Sequence, residues 1–420
     1  MKYFLLASLF FFTTNTMFCQ ENIIYDVKIQ GNKKLKTFFI KRIIRTSPGG
    51  ALDSLLLQED IKQLKRLPSI AHASYQVFHS HDKLYNVYYN IEENFTILPD
   101  ISVYTSTNNE FAYRVGVNEY NFLGQNMTLG VFFQRDIFNS YSINFRAPYL
   151  FNRQFGLAIN YQDLTTQEPV FLNNSSADYK YNNSSIEVLG IYQINFKNRF
   201  ELGINYFTED YQYISGTTSA NVPLSLNVKK LLYKFIYEYD NLDYYYQYVS
   251  GFKSVFNFQY VTSRNVVLPE FLIGWNDFFY FKRIGRKGNW ANRMRLGISS
   301  NSDSPFAPFS VDNNLNVRGV GNTIDRGTGV IIYNTEYRHT LYEKGWFSLQ
   351  GNAFIDAGSW RNPGGDFGDF GDAQNIRIYP GVGLRFISKK IYNATFRIDY
   401  GHGITKDSSK GFVFGIGQYF

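Results

Sequence analysis

The chain has 420 residues, a formal net charge of +7 and 19% aromatic residues, with 34 Tyr and 40 Phe. Mean hydropathy is −0.27, and after residue 20 no apolar run approaches the ~20 residues of a membrane-crossing helix. That excludes a helical membrane protein, and the single Cys excludes internal disulfides and a CxxC metal or redox site. Many aromatics without long apolar runs fit strands in which every second residue meets lipid. The soluble alternative is an all-β sandwich or propeller. The positive charge fits solubility and contact with anionic lipid headgroups. No Lys/Arg block interleaved with aromatics resembles a nucleic-acid module, so no nucleic-acid partner is expected.

Residues 1–20 read as a secretory signal. Lys2 carries the positive charge, Phe4 to Phe12 is a short apolar core, and a more polar tail follows. Cys19 ends this segment. A lipidated N-terminus there is the alternative, although Met17 and Phe18 are bulkier than the small residues such a site prefers.

Residues 21–93 read as a small β-α-α-β-β domain. Ile24, Val27 and Ile29 give a strand ending at Gly31-Asn32. Thr37 is a candidate cap for a helix carrying Phe38, Phe39, Ile40, Ile43 and Ile44. Pro48-Gly49-Gly50 breaks the chain. Leu57, Ile61 and Leu64 then share one face of a second helix, which Pro68 ends. Two alternating strands follow, around a His81-Asp82-Lys83 turn. His79 and His81 share a strand face. Metal ligation is one reading of them, and solvent exposure beside a charged turn is the plainer one.

Residues 94–420 repeat one pattern: about ten alternating residues and then a turn. Phe200, Leu202, Ile204 and Tyr206 alternate with Glu201, Gly203 and Asn205. A charge facing lipid near the midplane costs about 2–4 kcal/mol, so the charged parity must face the lumen. Sixteen strands are expected, beginning near residues 95, 110, 125, 140, 153, 184, 199, 230, 252, 271, 289, 329, 346, 377, 392 and 412. An even count puts both barrel ends on one side. With the small domain in the periplasm, the longest connections become outer loops: residues 167–183, 301–328 and 359–376. A closed barrel pairs its first and last strands. Pro99 cannot donate a ladder bond in the first, and Gly415 and Gly417 interrupt the last, so this seam, ending at Phe420, is expected to be weak.

Several motifs coincide along the chain. Ile29-Gln30-Gly31-Asn32 follows the first strand, and Asn121-Phe122-Leu123-Gly124-Gln125-Asn126 marks an early turn. Asp240-Asn241-Leu242-Asp243 precedes Gly251. Val317-Arg318-Gly319 lies in the loop before the twelfth barrel strand. Glu336-Tyr337-Arg338, Phe354-Ile355-Asp356-Ala357-Gly358 and Gly381-Val382-Gly383-Leu384-Arg385-Phe386 come next, and Gly417-Gln418-Tyr419-Phe420 closes the chain. In this order and at this spacing, the sequence resembles the BamA/TamA superfamily of outer-membrane assembly and secretion barrels, with a single POTRA-like domain.

The resemblance implies a mainly β fold: a 16-stranded antiparallel transmembrane barrel at 94–420, a POTRA-like periplasmic domain at 21–93 and a signal peptide at 1–20. It implies localisation in the bacterial outer membrane. Its partners would be unfolded outer-membrane or exported client proteins and outer-membrane lipid, with periplasmic or lipoprotein accessory subunits also admitted. It assigns a contact between Arg318 and the wall residues Phe354 and Asp356. The family usually carries Phe or Tyr after the VRG triplet; Val320 stands there.

Parity offers a route to the same contact. Asn334, Glu336 and Arg338 share one polar face, and Gln350, Asn352, Phe354 and Asp356 share the next. All should point into the lumen. An arginine on a returning loop, Arg318 of Val317-Arg318-Gly319, pairs with Asp356 and stacks on Phe354 in this reading; an ordinary solvated outer loop is the alternative. The segment from Gly364 to Asp372 spaces three carboxylates by three, which suits calcium or a flexible glycine-rich tip. There is no GxSxG, HExxH or phosphate-binding loop, so no enzyme, cofactor or metal is expected. Three functions stand: an assembly barrel, a dedicated secretion pore for one client, and a passive porin-like or structural channel.

Overall fold

A computed structural model describes residues 22–105, 111–135, 137–172, 175–217, 223–304, 307–311, 316–320, 325–406 and 408–420. The segment 1–20 with Cys19, and Gly321 in the loop, lie outside the described residues.

The N-terminal domain runs β1 (Ile23–Gln30), α1 (Thr37–Ile43), α2 (Ser54–Lys65), β2 (Ile70–His79) and β3 (Leu84–Glu93). β3 lies between β1, to which it is parallel, and β2, to which it is antiparallel. Phe39, Ile40 and Ile43 of α1 and Leu57 and Leu64 of α2 pack on Val27, Val87, Tyr89 and Ile91 of the sheet. Thr37 is not the cap: Lys36 holds that position without a side-chain bond, and Asn32 donates to the Thr37 hydroxyl. Asp53 caps α2, its carboxylate accepting from the Leu55 N–H at 2.8 Å. Asp60 is fully buried yet satisfied, accepting from the backbone N–H groups of Arg45 and Thr46, the Thr46 hydroxyl and the Tyr89 hydroxyl. Burial in the same place pushes the Tyr89 phenol well above its ordinary range, so it stays a donor.

The barrel begins with β4 (Ile97–Thr105), β5 (Phe111–Phe122), β6 (Met127–Arg135), β7 (Asn139–Ala147), β8 (Phe155–Leu172), β9 (Ser175–Gln193), β10 (Asn198–Gly216) and β11 (Ser225–Asp240). The short β12 (Asp243–Tyr245) extends the pairing onto β13 (Tyr248–Arg264), followed by β14 (Pro269–Ile284) and β15 (Gly288–Ser299). The next loop carries a small two-stranded sheet, β16 (Phe309–Val311) with β17 (Asp325–Gly327). The wall resumes with β18 (Gly329–Lys344), β19 (Phe347–Arg361), β20 (Ile376–Ser388), β21 (Thr395–His402) and β22 (Lys410–Ile416), which returns to β4. The wall is a nearly closed antiparallel barrel of 16 strands, as the sequence periodicity requires. Expected strand starts fall close to those observed, except the sixth, which begins at Ser175 rather than near 184.

That exception removes one expected loop. Residues 167–183 are mostly strand: β8 and β9 run 18 and 19 residues, against about ten needed to span the hydrocarbon. The excess rises away from the N-terminal domain, where Val170, Tyr179, Tyr211, Val228 and Leu268 pack together. Its polar residues, such as Asn182 and Asn183, read as a loop because no lipid-facing alternation is needed there. Within the wall the alternation holds. Leu202 is 63% exposed, while Glu201 beside it is 3% exposed and paired with Arg146 and Arg199.

The N-terminal domain docks on the turns of one barrel end. Arg66 donates to the carbonyls of Phe196 (2.6 Å) and Leu242 (2.9 Å), and Lys65 pairs with Asp243 at 2.6 Å. Arg42 donates to the Tyr149 carbonyl at 2.9 Å, and the Lys36 N–H to the Gly124 carbonyl. At the seam, Pro99 sits within β4 opposite Val117 of β5, and Gly415 sits within β22 opposite Arg397. Gly417 and Phe420 lie beyond β22, not in it: Gly417 has φ +91°, and the chain turns inward there.

Candidate lumen lock

Between β15 and β18, the described residues 316–320 lay Val317-Arg318-Gly319 against the inner wall. The register sets its partners. Asn334 and Glu336 of β18 lie opposite Asp356 and Phe354 of β19, and these lie opposite Tyr379 and Gly381 of β20. Arg318 is 0% exposed. Its backbone N–H, Nε and Nη2 donate to the two oxygens of Asp356 at 3.0, 2.8 and 2.9 Å, and Nη1 donates to Glu336 at 2.6 Å. The Phe354 ring lies 3.6 Å from the guanidinium carbon. These are bidentate, charge-assisted bonds with a stacked ring, which a lysine cannot copy.

Glycine makes the approach possible. Gly319 has φ +97°, and a Cβ on it would stand 2.8 Å from the Gly401 backbone. A Cβ on Gly401 would stand 2.4 Å from the Arg318 carbonyl oxygen, and one on Gly381 only 2.1 Å from the Phe354 ring. Gly381, Gly401 and Gly411 face one another in register across β20, β21 and β22, giving a bare floor on which the loop rests.

The lock is wider than one arginine and two wall residues. Arg385 donates to Asp399 at 2.8 Å and to Glu336 at 3.2 Å, Arg338 donates to Glu336, and Arg397 reaches Asp399 at 3.4 Å. Arg318, Arg338, Arg385 and Arg397 thus share Glu336, Asp356 and Asp399, all buried. Tyr419 places its ring between Arg318 (4.5 Å) and Arg397 (4.8 Å), and Arg338 donates to the Phe420 carbonyl at 3.1 Å. The inward turn at Gly417 therefore ties the seam strand to the loop. Such a network holds the loop firmly while complete; removal of one buried partner costs about 3–5 kcal/mol.

Val320 has a local explanation. It is buried with Val311, Val317, Val330, Ile332 and Trp360, beside Tyr379, so the aromatic in this pocket comes from the wall. Asn316 anchors the loop again, its carbonyl accepting from Asn334 at 2.8 Å.

Other candidates behave differently. His79 and His81 are exposed and face the backbone carbonyls of Asp82 and Ser80. The carboxylates of Asp366, Asp369 and Asp372 each accept a backbone N–H of their own loop, from Gly368, Asn362 and Gln374. Among the described residues no group of three or more His, Cys, Asp or Glu is placed to hold a metal.

Residues 23–94 match the POTRA family model, described as a surface antigen variable number repeat. In structure the chain resembles BamA from Haemophilus ducreyi lacking POTRA domains 1–3, with TM-score 0.57 and 15% identity over 94% of this chain and 84% of that one. The chain has the POTRA-plus-barrel fold of the BamA type. CdiB from Acinetobacter baumannii is similar at TM-score 0.61 and 14% identity, over 95% of this chain and 74% of that one. CdiB from Escherichia coli is similar at 0.62 and 11%, over 94% and 75%. No curated protein matches the sequence. Among the described residues, one POTRA domain precedes the barrel.

Sequence reasoning quotes Arg385 and Tyr419 within motifs and places Arg397 and Asp399 on a lumen-facing parity, but gives none of the four a part in the contact with Arg318. Arg385, Arg397 and Asp399 occupy lumen-facing positions on β20 and β21, and parity gives their face but not their partners. Tyr419 lies off the strand, where parity gives no signal.

Proposed function

We propose that the chain is an outer-membrane barrel that assembles proteins into, or translocates them across, the bacterial outer membrane. Residues 301–328 are the element held in the lumen by Arg318, and the POTRA domain faces the periplasm. The observation that supports this most is the fully buried Arg318 bridging loop and wall beside the seam. A loop tied by discrete, exchangeable ion pairs is a part that can move as a unit. The strand edges that an opened β22–β4 seam would present are natural templates for a client strand. The proposal contains no catalytic step and no cofactor. Its clients are unfolded outer-membrane or exported proteins.

The test is depletion of the protein followed by quantitative proteomics of the outer membrane. Broad loss of barrels supports assembly, and loss of a single exported protein supports dedicated secretion. An unchanged membrane proteome overturns both and leaves a passive channel.

A further inference from the structure

On the lipid-facing side of the barrel lies an apolar groove of about 700 Å³. Its walls are Phe256 and Phe258 of β13 and Ile298 and Ile331 of β15 and β18. Gly274 of β14 is its floor. The connection after β19 roofs it with Phe367 and Phe370.

The roof is built to stay. A 3-10 helix, Phe367–Gly371, is capped by Asp366, and Asp369 accepts the Asn362 N–H at 2.8 Å. The Phe370 carbonyl accepts from Ser359 at 2.9 Å. This geometry holds Phe367 69% exposed at the rim. A rigidly presented, exposed ring has a physical rationale where hydrocarbon covers it, as in the aromatic belts of membrane barrels.

We propose that this groove is a binding site for one acyl chain of a membrane lipid, clamped between the barrel wall and the Phe367–Phe370 roof. Three observations select that occupant over a protein. The groove is continuous with the lipid-facing belt, sharing its exposed Leu272, Leu296 and Ile298. Among the described residues no charged side chain lines it. The amide and hydroxyl side chains that line it are already engaged: Asn276 with Ser254 at 3.0 Å, Ser299 with the Thr328 carbonyl at 2.9 Å, and the Ser300 hydroxyl with the Leu272 N–H at 2.9 Å. A peptide would find its amide and hydroxyl partners there already taken, whereas an acyl chain needs none.

The floor gives a clean test. A Cβ on Gly274 would meet nothing closer than 3.6 Å, so Gly274→Phe fills the groove without a backbone clash. Gly190, on the outward face of β9, is equally open, its nearest neighbour 3.7 Å away, and Gly190→Phe serves as control. The full-length chain is mixed with phosphatidylethanolamine in detergent, washed, and weighed by native mass spectrometry. Folding is checked by heat-modifiable gel mobility. Wild type and Gly190→Phe should retain one lipid. Gly274→Phe and the roof variant Phe367→Ser/Phe370→Ser should each lower retention by about tenfold or more. No lipid on wild type, equal retention in both groove variants, or equal loss in Gly190→Phe overturns the proposal. A dimer mass that Gly274→Phe abolishes would assign the groove to a second copy and overturn it as well.

Discussion

Asp356→Ala is the most informative perturbation of the lock. Asp356 accepts three of the hydrogen bonds that hold Arg318; among the described residues its removal leaves the guanidinium the Glu336 bond, Asp399 at 3.6 Å and the Phe354 and Tyr419 rings. Breaking a buried, hydrogen-bonded pair from one side costs about 3–5 kcal/mol. At about 4 kcal/mol the released loop becomes roughly a thousandfold more populated. Trypsin reads this directly, because the substitution keeps Arg318 as a cleavage site. When opening and closing are fast relative to cutting, cleavage tracks the open population. The rate of cutting after Arg318 should therefore rise by about two to three powers of ten, while gel mobility still shows a folded barrel. Asp356→Asn keeps the shape and loses the charge, so it should fall between. A folded Asp356→Ala barrel cut within about threefold of the wild-type rate would refute the reasoning, because a change of about 4 kcal/mol cannot hide in that margin.

Other predictions use the same molecule. Tyr419→Ala removes a ring stacked between two guanidiniums, worth about 1–2 kcal/mol, and should raise cutting after Arg318 by roughly tenfold, less than Asp356→Ala. Gly401→Ala drives a methyl into the Arg318 carbonyl and should release the loop at a cost of about 1–3 kcal/mol, seen by the same proteolysis. Arg66→Ala removes its bonds to Phe196, Leu242 and Asp240 and should broaden the distance between spin labels on the POTRA domain and the barrel turns. Burial and the bond to Glu92 raise the Tyr246 phenol to about 12. Because the folded value exceeds the unfolded one, this POTRA–barrel contact contributes stability below pH ~10 and loses it as pH rises through about 12. The wild-type minus Tyr246→Phe phenolate absorbance should titrate in that upper range.

The alternation of Leu202, Ile204 and Tyr206 with Glu201 and Asn205 made the barrel legible, because lipid on one side and a polar lumen on the other leave one arrangement per strand. The extended β8–β9 hairpin was not legible. Above the membrane neither face meets lipid, so Asn182 and Asn183 carry no periodic signal. The wall partners of Arg318 share legible parity with Arg385 and Asp399, although only the register shows that four strands, β18 to β21, converge there. The path of Tyr419 depends on a left-handed turn at Gly417, which sequence marks only as a glycine. Fold and lock are thus written in periodicity, while the tail that completes the lock is written in backbone conformation.

We propose that the loop held by Arg318 serves protein assembly or transport at the outer membrane. The most direct test is rescue of depleted cells with equal amounts of wild-type and Arg318→Asp chains, read by the outer-membrane proteome. Wild type should restore the lost proteins, and a folded, membrane-inserted Arg318→Asp barrel should not. Full restoration by Arg318→Asp would contradict the account.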